Sequence, residues 1–196
     1  MIQTELDIKE WIHDDEWMMD ILRTVRKLNL PDWWICAGFV RTKIWDKIHG
    51  FSHRTPLADI DVIYFDSTEI SEEKEKQLEK KLEQYNPNLP WSVKNQARMH
   101  VLNNFPPYES SADGIAHFPE TATALGVKLH KDDSIVLCAP WGIKDAVFLE
   151  VKPTPPFKAN NRHIYEARIK QKKWHSVWDK LRITEYRKNG FRMCVS

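Results

Sequence analysis

Two aspartates, Asp59 and Asp61, stand two residues apart at the head of an apolar run, Val62-Ile63-Tyr64-Phe65. Side chains alternate along a strand, so both carboxylates point to one face and Ile60 and Val62 to the other. Two acids on one face of an otherwise apolar strand require a counter-charge. A divalent cation supplies it, and magnesium (or manganese) suits one or two carboxylates completed by substrate phosphates. Upstream, Gly38 follows the apolar run Trp33-Trp34-Ile35-Cys36-Ala37. A glycine there permits close backbone approach, and the N-terminus of the helix that follows can bind an anion. Arg41, on the first turn of that helix, can reach a phosphate or pair with an aspartate. Read as an exposed helix-end residue, Arg41 is expected to tolerate Arg41→Ala with the fold intact and NTP binding weakened.

The elements that must position these residues are strand, glycine turn, short helix, basic loop and acidic strand, spanning Ala37 to Asp66. In that order, Gly38-Phe39-Val40-Arg41 and then Asp59-Ile60-Asp61-Val62 resemble the core signature of the DNA polymerase β-type nucleotidyltransferase superfamily. The tRNA-nucleotidyltransferase branch has a similar order. The wider chain resembles a small bacterial family of uncharacterised nucleotidyltransferase-like proteins through Val93 to His100, Pro119 to Ala124 and Ala139 to Gly142. The resemblance implies a nucleotidyltransferase-like α/β (α+β) fold, a mixed β-sheet flanked by helices. It also implies magnesium or manganese on Asp59 and Asp61, with an NTP as substrate. One departure stands out: the third strand of that fold often carries a third carboxylate, and here Asn95 is the nearest polar residue. Asn95 can still offer a neutral oxygen.

The chain has 196 residues, with 42% hydrophobic and 29% charged residues, an ordinary globular composition. A formal net charge of +1 gives no global field toward nucleic acid or membrane. Cys36, Cys138 and Cys194 have no paired spacing and read as reduced thiols, and no apolar run reaches membrane-spanning length. The expected location is cytoplasmic, with no membrane partner.

Residues Thr4 to Leu28 have helical periodicity, with a break or second start at Asp14-Asp15-Glu16. Strands are predicted at Trp33–Ala37, Asp59–Phe65 and Trp91–Lys94, all neighbours. A helix runs from about Phe39 to Ile48 and ends at Gly50. The segment Ser71 to Tyr85 reads as a helix with Leu78, Leu82 and Tyr85 inward and its charges solvated. Gly126 to Cys138 reads as a hairpin. Arg98 and His100 are either phosphate contacts or members of a structural network. Glu120 is the best nearby carboxylate to complete a metal or ribose site, against a structural alternative. The whole chain, 1–196, is expected to be one domain ending in a basic helix over about 157–188.

Three functional readings follow. The first is a metal-dependent nucleotidyltransferase that moves an NMP group from an NTP to an acceptor, which is RNA, protein or a small molecule. In it Asp59 and Asp61 are catalytic and hold the metal, and Gly38, Arg41, Asn95, Arg98 and Glu120 contact substrate. The second is a non-catalytic nucleotide-binding protein on the same fold. The third is an RNA- or partner-binding module that uses the basic C-terminal segment with its interleaved aromatics.

Overall fold

Helical periodicity and capping residues start the chain. In the computed structural model, which describes residues 4–187 and 190–193, α1 (Glu5–His13) begins with a reciprocal cap between Thr4 and Asp7. The break expected at Asp14–Glu16 is present: Asp15 caps α2 (Glu16–Arg26), which buries Met18, Met19, Leu22 and Val25. Then follow β1 (Trp34–Cys36), α3 (Gly38–His49), β2 (Ile60–Tyr64), α4 (Glu72–Tyr85) and β3 (Trp91–Asn95). Gly50 closes α3 in the left-handed conformation, φ 72°, which glycine adopts without a side-chain penalty. Two short helices, α5 (Gln96–Met99) and α6 (Ser111–Ala116), lead to the hairpin of β4 (Gly126–Leu129) and β5 (Ile135–Cys138). The last elements are α7 (Lys144–Val147), β6 (Glu150–Val151), α8 (Pro155–Ala159), α9 (Arg162–Lys172), β7 (Arg182–Arg187) and β8 (Gly190–Met193).

The main sheet has the order β3-β2-β1-β4-β5, with β2 and β3 parallel and the other pairs antiparallel. The three strands expected to be neighbours are neighbours. Period-two alternation sorts the sheet's faces. Ile35, Ile60, Val62, Tyr64 and Val93 enter the large core with α1, α2, α3 and α4. The opposite face carries Asp61, with Cys36 and Ser92 beside it in register. Farther along that face Trp34, Cys36 and Ile63 form a smaller core under Ile115 of α6. Helix α6 covers one end of this face and leaves the Asp61 end open.

Two expectations change. The charges of α4 are not all solvated. Glu75 is fully buried, accepts from Arg98 Nε and Nη2, both at 2.7 Å, and from the Asn95 backbone N–H at 2.8 Å. Tyr85, expected inward, is exposed.

The basic helix expected over 157–188 is divided. Helix α9 ends where Lys173 turns left-handed, φ 47°. Trp174 and Trp178 then pack edge-on against Trp45, at ring distances of 5.4 and 5.1 Å, and draw the chain out of helix. Beyond them Ile183, Thr184 and Tyr186 have strand-forming side chains, and β7 pairs in parallel with β6. Cys194 lies outside the described residues. Among the described residues no helix is long and apolar enough to cross a membrane.

Candidate active site

The turn from β1 into α3 builds the floor. Ala37 holds φ 52° and ψ −114°, a conformation L-residues rarely adopt, and its N–H donates to the Leu125 carbonyl at 2.9 Å. It offers no side-chain cap, so the first turn of α3 meets the cleft without a capping acceptor. A Cβ at Gly38 would make only ordinary contacts, 3.6 Å to Arg41 Nη2 and 3.9 Å to Leu57. The glycine therefore relieves no clash and leaves this part of the cleft floor free of a side chain.

Asp59 and Asp61 line one cleft of about 380 Å³, as period two requires. Ala37, Gly38 and Arg41 share its floor, and residues 55–58 form one rim. That rim is anchored by buried Asp46, whose carboxylate accepts from the Thr55 N–H (2.8 Å), the Thr55 hydroxyl (2.7 Å) and Trp178 Nε1 (2.9 Å). The facing wall comes from the C-terminal part of the chain: Arg168 and Lys172, four apart on α9, and Trp174 and Trp178. Two acids thus look across the cleft at two cations.

Burial, and next the neighbouring charge of Asp59, push the Asp61 carboxyl up to about 6. Lys172, a hydrogen bond with Ser92 and Arg168 act in the opposite direction. Among the described residues no group of three His, Cys, Asp or Glu side chains could hold a metal. The donor set is therefore two hard carboxylate oxygens with excess negative charge. That fits a magnesium-type ion completed by phosphates and water, and does not fit an all-protein cage.

Arg41 is not the exposed helix-end residue expected. Its guanidinium lies 4.8, 5.0 and 5.7 Å from the rings of Trp174, Trp45 and Trp178. Nη2 donates to Thr42 Oγ1 at 3.1 Å, while Nε is buried without a hydrogen-bond partner. Burial lowers its pKa to about 10, against the charges of Glu120, Asp59 and Asp61, which raise it. It stays charged at neutral pH, with an unused donor.

Glu120 is fully buried; it accepts from Arg168 Nε at 2.9 Å and from Thr123 Oγ1 at 2.7 Å. It holds Arg168 in place from behind. Asn95 and Arg98 are not brought to the cleft. The buried Asn95 amide is taken up by backbone: it donates to the Asp66 and Glu69 carbonyls and accepts from the Asp66 and Ala97 N–H groups. Arg98 is held by Glu75. Sequence reasoning placed Arg168, Lys172, Trp174 and Trp178 in a basic tail and missed them as cleft residues. The signal available was the i, i+4 pair of cations followed directly by tryptophans.

A family model described as nucleotidyltransferase matches residues 23–183. A solved structure described as an NMR structure revealing a CCA-adding enzyme head domain is 34% identical, with a TM-score of 0.85. It covers 95% of this chain and 98% of its own. A CCA-adding enzyme in complex with ATP (14% identity, TM-score 0.57) covers 91% of this chain. The Thermotoga maritima CCA-adding enzyme complexed with tRNA (14% identity, TM-score 0.54) covers 93%. At that identity these two show the fold alone, and this chain spans only 43% of each of them. No curated protein sequence matches this one. A family match over most of the chain and a relative 34% identical of nearly equal extent show that the chain belongs to this nucleotidyltransferase family.

Proposed function

We propose that the protein transfers a nucleotidyl group from an NTP to an acceptor, with Asp59 and Asp61 holding magnesium or manganese. The carrying observation is the pairing across one cleft of two carboxylates with Arg168 and Lys172, on a floor of Gly38 and Arg41. The bound metal would supply charge neutralisation at the phosphates. The remaining work is positional and electrostatic. The uncapped first turn of α3, the Arg41 charge and Lys172 face the β- and γ-phosphates, and Trp174 and Trp178 back the wall of the cleft. Glu120 fixes Arg168, while Asn95 and Arg98 brace β3 from outside. The acceptor oxygen forms a bond to the α-phosphorus, the bond from that phosphorus to the pyrophosphate oxygen breaks, and pyrophosphate leaves with the electron pair. The acceptor's proton goes to solvent.

A second reading, nucleotide binding without transfer, is favoured by one observation. The strand beside β2 offers Ser92 and Lys94 on the Asp61 face, where a third carboxylate would otherwise stand. Melting with manganese and each NTP, followed by transfer of label from an α-labelled NTP, separates the two. Metal plus NTP is expected to raise the melting temperature by linkage, and Asp61→Asn to abolish both that shift and the transfer. A shift without transfer selects the second reading. Indifference to every metal and nucleotide combination overturns both.

A further inference from the structure

Asp61 lines a second cavity as well. It lies on the β3 side of Asp61, has a volume of about 410 Å³, and meets the first cleft at Ala37, Asp61, Thr123 and Arg168. Displacement at phosphorus requires the attacking and leaving oxygens to lie roughly in line on opposite sides. Two compartments that meet at one carboxylate provide those two sides. The first compartment, and not the second, has Arg41 and Lys172 to meet a triphosphate, so the second faces the incoming nucleophile.

The second compartment differs in chemistry. Its walls include Met99, Phe118, Ile164 and, at the rim, Leu102, which is 68% exposed. Its two cations are already engaged: Arg168 by Glu120 at 2.9 Å, and Lys94 by Glu75 and Glu79 at 3.4 and 3.6 Å. Among the described residues that line it, only Lys94 and Arg168 are cationic and both are already paired, which is less than the cationic track a phosphate backbone needs. The compartment does have polar anchors. His117 Nδ1 lies 2.9 Å from the Asp113 carbonyl, which can only accept, and 3.3 Å from the Asp113 carboxylate, so Nδ1 carries a proton and Nε2 takes no part in that contact. The ring is held between Phe105 and Tyr108, each with a centroid distance of 4.8 Å. Gln96 is buried so tightly against Gly114 that a Cβ there would come within 2.4 Å of its Oε1. The volume suits a small molecule.

We propose, resting on the transferase reading above, that this cavity seats the acceptor, and that the acceptor is a small hydroxyl-bearing molecule with an apolar body and not a polynucleotide.

The test uses the full chain with benzyl alcohol and a short oligoribonucleotide as probes. Benzyl alcohol is expected to shift the NMR signals of Met99, Leu102, His117 and Ile164, and to take label from α-labelled ATP with manganese. Met99→Trp fills the cavity and should weaken the alcohol's binding and labelling by roughly tenfold, while ATP plus manganese still raises the melting temperature. Leu102→Asp, at an exposed position, gives the same readout without touching the core. A protein that responds to ATP and manganese but shows no cavity shifts with the alcohol, or unchanged shifts in both variants, overturns the assignment. So does labelling of the oligoribonucleotide that Met99→Trp abolishes. A wild-type protein blind to ATP and manganese defeats the transferase reading, and this assignment with it.

Discussion

At Asp61, burial and the charge of Asp59 both favour the neutral acid, and its carboxyl titrates near 6 instead of its ordinary 3.8. A group whose folded pKa is raised contributes stability that is fully present below the unfolded pKa. That contribution is lost as pH rises through the folded value. The metal-free protein is therefore expected to lose stability between pH 3.8 and about 6 and to change no further through this group above that range. Asp61→Asn should flatten that slope and raise apo stability at neutral pH by about 2 kcal/mol. Guanidinium denaturation of both proteins at several pH values checks it; a variant less stable than wild type at neutral pH would mean the pair is held structurally. Arg41 leads to a different expectation. Because three indole rings surround it, Arg41→Ala should cost about 2 kcal/mol of stability as well as NTP affinity. Arg41→Lys keeps the charge but loses the planar stack, and should fall between the two on a denaturation curve.

Helix α4 and strand β3 form a brace, and its central residue is Glu75. Burial alone would raise its pKa, but hydrogen bonds from Arg98 and from the Asn95 N–H lower it overall. A depressed carboxylate stabilises above its unfolded pKa, here 4.5, and that stability disappears as pH falls through the lower folded value. Glu75→Gln leaves Arg98 with half a partner and is expected to cost about 3 kcal/mol at neutral pH, with the loss shrinking in acid. If the brace is purely supporting, the melting shift produced by metal and NTP should survive in the variant. The order of elements through β3 was legible because each carries a local signal: Asp15 and Ser71 cap helices, Gly50 ends one, and Asp59 to Val62 alternates into the apolar run that ends at Phe65. The burial of Glu75 was not legible. One acidic residue in a run of mixed charges has no local mark, and its partner Arg98 lies 23 positions away.

Across the whole molecule, one wall of the cleft is separated from the other by more than a hundred residues of chain. Gly38, Arg41, Asp59 and Asp61 have a local pattern that could be read directly. Arg168, Lys172, Trp174 and Trp178 are assigned to the same cleft only by folding, because α9 ends at Lys173 and the tryptophans pack onto Trp45. Periodicity continued the helix through that point, since no proline or glycine interrupts Asn161 to Asn189. Glu120 was singled out, but its partners Arg168 and Thr123 came only with the fold. The tryptophan cluster also makes the molecule its own optical instrument. Of nine tryptophans, Trp174 and Trp178 line the cleft that holds Asp59 and Asp61 and, with Trp45, surround Arg41. A charged nucleotide bound beside these buried indoles changes the field around them, so intrinsic fluorescence should change saturably as an NTP is added. The signal should shrink in Trp174→Phe, while Trp17→Phe, whose ring stacks on Phe39, should leave it unchanged. Binding at the cleft can then be followed with unlabelled protein and before any acceptor is known.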